Sequence, residues 1–147
     1  MLKRFTFLLV LGLALVQAGA AELVWQTDLA KAQASAKAEK KLVLIDFTGS
    51  NWCPPCKMLD RDVLRTPEFA AYAQKNLVLV KADFPKPNNL PKAQQEANEK
   101  LSDRFSIKGL PTLVLLDDAG KEVGRSVGYD GQGLKPFMSR LEKRFKD

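Results

Sequence analysis

Two residues separate Cys53 from Cys56, and both are proline. These are the only cysteines in a chain of 147 residues that contains no histidine. They follow a short apolar run, Leu42-Val43-Leu44-Ile45, that ends in Asp46-Phe47. A run of this length and composition reads as a strand buried on both faces. Proline lacks an N–H, so Pro54 and Pro55 fit a helix only in its first turn, where that donor has no intrahelical partner. The segment therefore predicts a strand from Leu42 to Phe47, a loop Thr48-Gly49-Ser50-Asn51, and a helix opened by Cys53 and running to about Leu64.

Thiol–disulfide exchange needs a thiolate that attacks a disulfide sulfur and a second thiol that releases the mixed disulfide. Two cysteines one helical turn apart at a helix N-terminus meet both needs. Unpaired N–H groups and the helix dipole there favour a negative charge on the first sulfur. Cys53 is accordingly read as the exposed attacking thiolate and Cys56 as the resolving thiol, with Lys57 adding a nearby positive charge. A purely structural disulfide is a poor alternative, because so small a loop constrains the unfolded chain weakly. A zinc site needs about four ligands, and a chain with two cysteines and no histidine does not offer the usual set. Without an imidazolium between the cysteines, and with two prolines lacking N–H groups, the expectation is an intermediate or reducing potential.

The N-terminus carries a different signal. Lys3 and Arg4 precede an apolar run from Phe5 to Val16, followed by small residues with Ala18 and Ala20 in an A-x-A arrangement. This is the pattern of a secretory signal peptide over residues 1–20, cut after Ala20 or, as a close second, Ala21. The alternative is an uncleaved anchor, but a membrane-spanning helix needs about 20 apolar residues. No cysteine follows the run, so attachment through a lipidated N-terminal cysteine is excluded. Cleavage removes Lys3 and Arg4 and lowers the formal net charge from +6 to +4, 21 basic against 17 acidic side chains. Basic and acidic residues are interspersed, which argues against nucleic acid as a partner. The expected location is periplasmic or secreted, without stable membrane insertion after cleavage. In such a compartment a lone cysteine pair spends at least part of its time as a disulfide.

The rest of the chain reads as one domain, residues 21–147. A lead-in around Trp25 suggests an edge strand. Thr27 or Asp28 caps a helix over Leu29 to Lys40, and Thr66-Pro67 starts another that reaches about Gln74. Leu77 to Ala82 is a second apolar strand. Pro85, Pro87 and Pro91 keep the next stretch in a loop. Lys92 to Phe105 is helix-forming, with Ala93, Ala97, Leu101 and Phe105 in one stripe. Leu113 to Leu116 and Glu122 to Val127 flank the turn Asp117-Asp118-Ala119-Gly120 as a hairpin, and Leu134 to Phe145 is an amphipathic terminal helix. Alternation of strands and helices predicts parallel pairing in the first half, and the hairpin an antiparallel addition.

Trp52-Cys53-x-x-Cys56-Lys57, preceded by Asp46-Phe47 and followed far downstream by Gly109-Leu110-Pro111-Thr112, resembles the thioredoxin family over about Trp25 to Phe145. The string from Asp46 to Cys53 is similar to exported thioredoxin-like proteins of bacteria. The resemblance implies an α/β thioredoxin-like fold, a central mixed sheet with a C-terminal antiparallel hairpin and helices on both faces. It also implies a protein-disulfide oxidoreductase acting on protein thiols and disulfides, and the sequence itself gives no sign of a bound metal or organic cofactor. Pro111 becomes a cis-proline facing the sulfurs, with Leu110 before it and Trp52 shielding the site, both in contact with substrate. Asp46 becomes the buried acid that takes the proton of Cys56, with Lys81 as a weaker assignment for its partner. Two departures stand out: Pro-Pro replaces Gly-Pro between the cysteines, and one extra residue lies between Asp46 and Cys53. The proline-rich stretch from Phe84 to Pro91 also lengthens one connection.

The leading expectation is a reductant of protein disulfides, supplied by a membrane-bound thiol reductase. The alternatives are a disulfide oxidase or isomerase, and a non-catalytic binding module with incidental cysteines.

Overall fold

The computed structural model describes residues 22–146, so the proposed signal peptide lies outside the described residues. In chain order the elements are β1 (Trp25–Gln26), α1 (Leu29–Glu39), β2 (Leu42–Thr48), α2 (Pro54–Leu59), a π-helical segment (Asp60–Leu64), α3 (Pro67–Asn76), β3 (Leu77–Asp83), α4 (Lys92–Arg104), β4 (Thr112–Leu116), β5 (Glu122–Val127) and α5 (Leu134–Lys146). The strands form one five-stranded sheet in the order β1-β3-β2-β4-β5. β3 runs parallel to β1 and β2, whereas β4 runs antiparallel to β2 and β5. This is the mixed sheet with a terminal hairpin that the strand order predicts. Gly120 closes the hairpin with φ +81°, a conformation that costs glycine little.

β2 and β3 lie inside the sheet and are covered on both sides, which explains their continuous apolar sequence. Val43, Ile45 and Phe47 of β2 join Val78, Val80, Ala82, Val114 and Leu116 in one core beneath α1 and Phe105. Leu44 joins Leu77, Leu79, Leu113 and Leu115 in a second core beneath α2, the π segment, α3 and α5. Side chains alternate along a strand, so Asp46 and Lys81 belong to the second face, under α2.

Helix ends follow local chemistry. Asp28, not Thr27, caps α1 by accepting the Lys31 N–H at 3.1 Å, and Lys40 ends it in the left-handed region at φ 54°. Thr66 caps α3, accepting the Phe69 N–H at 3.3 Å. The α3 helix runs two residues past the expected Gln74 and passes directly into β3.

Two expectations need correction. The helix after Cys53 does reach Leu64, but not as one α-helix: at Asp60 it widens, and the Arg65 N–H bonds the Asp60 carbonyl at 2.9 Å. In α4 the stripe is rotated from the one expected. Ala93 and Ala97 are exposed, and Gln94 and Asn98 face inward with Leu101 and Phe105. The reason is polar demand at this end of the sheet. The Asn98 amide donates to the Asp83 carbonyl at 2.8 Å, and the Gln94 amide donates to Asn98 at 2.8 Å and to the Thr27 carbonyl at 3.4 Å. Buried carbonyls without partners are costly, so amides take positions that periodicity assigns to alanine.

Phe69 is fully buried and meets Phe137 edge-on, with ring centroids 6.1 Å apart. Phe69→Ala is expected to lower stability by about 3–5 kcal/mol, read as a fall in the urea unfolding midpoint; a loss under about 1 kcal/mol contradicts this packing.

Candidate active site

The chain leaves β2 at Thr48, at the end of the sheet nearest α2, and reaches Cys53 through a tightly wound loop. The Trp52 and Cys53 N–H groups both donate to the Gly49 carbonyl, at 3.2 and 3.0 Å. Cys53 is the N-cap of α2 in extended backbone (φ −91°, ψ 106°), and its carbonyl accepts the Lys57 N–H at 3.1 Å. Pro54 and Pro55 occupy the first two helical positions and have no N–H to give. In this first turn only Cys56 brings an N–H not already bonded to the Cys53 carbonyl.

Cys53 and Cys56 are joined in a disulfide, with Cα atoms 5.3 Å apart. Both are buried, at 4% and 3% exposure. The expectation of an exposed Cys53 is therefore corrected. The loop turns back over the helix start, and the Gly49 N–H donates to the Cys56 sulfur at 3.5 Å. Trp52, at 39% exposure, is the side chain that meets solvent beside the pair. Its ring packs over Gly49 so closely that a Cβ there would lie 2.6 Å from the ring, so a larger residue would have to displace the indole.

Asp46 is 3% exposed, and its Oδ1 has no hydrogen-bond partner within the described residues. Burial pushes its pKa up to about 7, against a smaller opposing pull from Lys81 and with added upward pressure from the negative charges of Asp60 and Asp83. Lys81 is the register neighbour of Asp46 across β2 and β3. It forms no ion pair with Asp46, because its ammonium lies 4.8 Å from the Trp25 ring centroid. A cavity of about 300 Å³ is lined by Asp46, Cys56, Lys57, Asp60, Arg65 and Lys81, among others. The carboxyl and the inner sulfur thus share one polar space behind the disulfide.

The Leu110–Pro111 peptide is cis, and Pro111 is fully buried. Thr112 pairs with Phe47, so Pro111 stands across from the end of β2, at the same end of the sheet as the disulfide loop. The Pro111 carbonyl accepts the Gly128 N–H at 2.8 Å. The Leu110 side chain packs partly buried against the first core.

One part of the site escaped the sequence reading. The loop before Cys53 and the proline-rich stretch after β3 are stitched together. The Ser50 N–H and hydroxyl both donate to the Asp83 carboxylate, at 2.9 and 2.5 Å. The Asn51 amide donates to the Lys86 carbonyl at 2.9 Å, and its oxygen accepts the Lys86 N–H at 3.0 Å. The Trp52 indole N–H donates to the Phe84 carbonyl at 2.7 Å, and the Lys86 ammonium sits 3.8 Å from the Trp52 ring centroid. The extra residue in the first loop and the prolines in the second were the only signals, and neither indicates a pairing across more than thirty residues.

Among the described residues no group of three or more His, Cys, Asp or Glu side chains is placed to hold a metal ion, and no helix is long and apolar enough to cross a membrane. The arrangement can accept two electrons and two protons, opening to a dithiol with a carboxyl group behind the inner sulfur.

Comparison with known proteins agrees with this chemistry. Residues 29–133 match the model of a thioredoxin-like domain. The chain is 32% identical to the disulfide bond reductase DsbH of Chlamydia pneumoniae over 127 residues, 86% of this chain and 75% of that protein. It is 37% identical to a thioredoxin of Chlamydia trachomatis over 102 residues, 67% of this chain and 81% of that protein. A solved structure of a DsbH oxidoreductase superposes with a TM-score of 0.79 at 32% identity, covering 86% of each chain. With the disulfide at the head of α2 and the cis peptide before Pro111 at the same end of the sheet, the chain belongs to the thioredoxin-like family and is a thiol–disulfide oxidoreductase.

Proposed function

We propose that this protein is exported and reduces disulfides in other proteins, drawing its electrons from a membrane-bound thiol reductase. The observation that carries the direction is the donor-poor helix start. Pro54 and Pro55 remove two of the N–H groups that would face the Cys53 sulfur. Fewer donors mean less stabilisation of the thiolate, so the reduced form is favoured less and the dithiol gives up its electrons more readily. The likeness to a protein named as a disulfide bond reductase supports the same direction. Export rests on the basic, apolar and small-residue pattern over residues 1–20.

In this reading the Cys53 thiolate attacks a client disulfide and forms a mixed disulfide. Asp46 takes the proton of Cys56, whose thiolate then attacks the Cys53 sulfur, closes the internal disulfide and releases the client thiolate. Trp52 borders the client's approach, the backbone at Pro111 receives an extended client segment, and Leu110 contributes through its main chain, since its side chain is drawn into the core. Because both cysteines are buried in the disulfide, the pair must become accessible when the upstream reductase opens it.

Equilibration against glutathione buffers is expected to give a potential nearer about −270 mV than about −120 mV; the opposite result favours the oxidase or isomerase. Cys56→Ser is expected to leave clients covalently attached to Cys53, recoverable on non-reducing gels, and an empty trap favours a binding module.

Asp46 also makes a pH prediction. Its folded pKa of about 7 lies above the ordinary 3.8, so between those values the folded state binds the proton more tightly than the unfolded one. Stability then falls as pH rises through that window, by up to roughly 4 kcal/mol. Asp46→Asn is expected to remove most of the difference between urea midpoints at pH 5 and pH 8; an unchanged difference contradicts the assignment.

A further inference from the structure

The cavity that joins Asp46 to Cys56 does not end at Asp46. A second cavity, of about 550 Å³, lies outward of it beside Leu23, Trp25, Leu64 and Pro67, and the two share Asp60, Arg65 and Lys81 in their walls. These three residues therefore stand between the space that holds the sulfur, which also meets solvent past Ser50 and Lys57, and the space beneath the N-terminal lead-in.

Asp60 is placed in that position by the helix itself. It lies four residues after Cys56 and so on the same helical face. It is also where the helix widens into its π segment, whose i to i−5 bond brings Arg65 round. Asp60 is partly exposed, and its Oδ2 is held by the Arg65 guanidinium at 2.5 Å. Behind it the Asp46 Oδ1 is buried without a partner and borders the same inner cavity. The other charged groups around this space are Lys81 and Asp83 from β3, and Lys57 and Arg61 from the helix. Lys81 is engaged with Trp25, Asp83 with Ser50, and Arg61 with Asp62 at 2.6 Å. Asp60 is thus the carboxylate that lines both cavities.

We propose that Asp60, held by Arg65, is the outer carboxylate of a two-carboxylate proton relay, a positioning residue that receives at the cavity mouth the proton Asp46 takes up inside. This rests on the reading of Asp46 as the base for Cys56. The proton leaves the Cys56 thiol for the Asp46 carboxylate as the Cys56 sulfur attacks Cys53. The new S–S bond forms, the bond from Cys53 to the client breaks, and the client departs as thiolate with the two electrons. In the same step the proton moves on through the polar cavity from Asp46 to Asp60, so that loss of Asp60 slows decay of the mixed disulfide, and from Asp60 it reaches bulk water. Asp46 is returned to its ionised form for the next turnover.

The test is a single-turnover reaction of the reduced full chain with a disulfide-bonded peptide at pH 8. Acid quenching follows the formation and decay of the mixed disulfide on Cys53. Asp60→Asn is expected to slow decay about tenfold while leaving formation within about twofold, and added imidazole should restore the lost rate. Asp60→Glu, which keeps the carboxylate, should decay within about threefold of the unmodified protein. Rescue by a small buffer separates a proton-handling role from a merely structural one. If Asp46→Asn slows decay and Asp60→Asn does not, the relay is wrong while the role of Asp46 stands, and the proton leaves on the Ser50 and Lys57 side. If Asp46→Asn leaves decay unchanged, the base assignment fails and takes the relay with it. Slow decay in Asp60→Asn without imidazole rescue also overturns the relay.

Discussion

β2 is buried on both faces, and the rest of the site depends on that constraint. With β3 on one side and β4 on the other, its backbone is fixed in position and its side chains have no choice of face. Val43, Ile45 and Phe47 must fill one core and Leu44 the other. A register slip of one residue would move every one of them to the wrong side. The same alternation leaves Asp46 no route to solvent except the cavity behind Cys56. A carboxyl held in this way sits near neutrality because of where the strand lies, and Lys81 across the register tempers the effect without cancelling it.

The strand also sets the disulfide and the cis peptide in one frame. The loop to Cys53 leaves from the end of β2, and Thr112, next to Pro111, pairs one residue before that end. The α2 helix starts above these strand ends, so the sulfurs lie at the end of the central strands and not over a face of the sheet. The proline-rich stretch from Phe84 extends this end of the sheet on the side of β3. Its bonds to Ser50, Asn51 and Trp52 turn two long connections into one rigid rim around the disulfide. Lys86, stacked on Trp52, places a positive charge on that rim.

Much of this was legible in the residues. The apolar runs at Leu42 and Leu77, the turn at Gly120 and the proline starts at Pro54 and Pro67 each carry a local physical cause, and each element formed where that cause acts. The cysteine pair was equally plain, because spacing and helix start together define its chemistry. The failures share one origin. Ala93 and Ala97 fit a helical stripe, but Asn98 and Gln94 win the inward positions because carbonyls from distant segments need donors. Cys53 heads a helix and by that rule is exposed, yet a loop folds over it. Lys81 has the charge to pair with Asp46, but the Trp25 ring holds it aside.

Local sequence alone determined the elements, their order and the cysteine pair at a helix start, because propensity, capping and alternation act over a few residues; Asp46 was singled out by family resemblance. Tertiary structure alone decided how deeply the sulfurs are buried, which cavity Asp46 opens into, and that Asn51 and Lys86 clasp each other across thirty-five positions. Those are properties of which surfaces meet, and no short-range pattern encodes a meeting between segments that far apart.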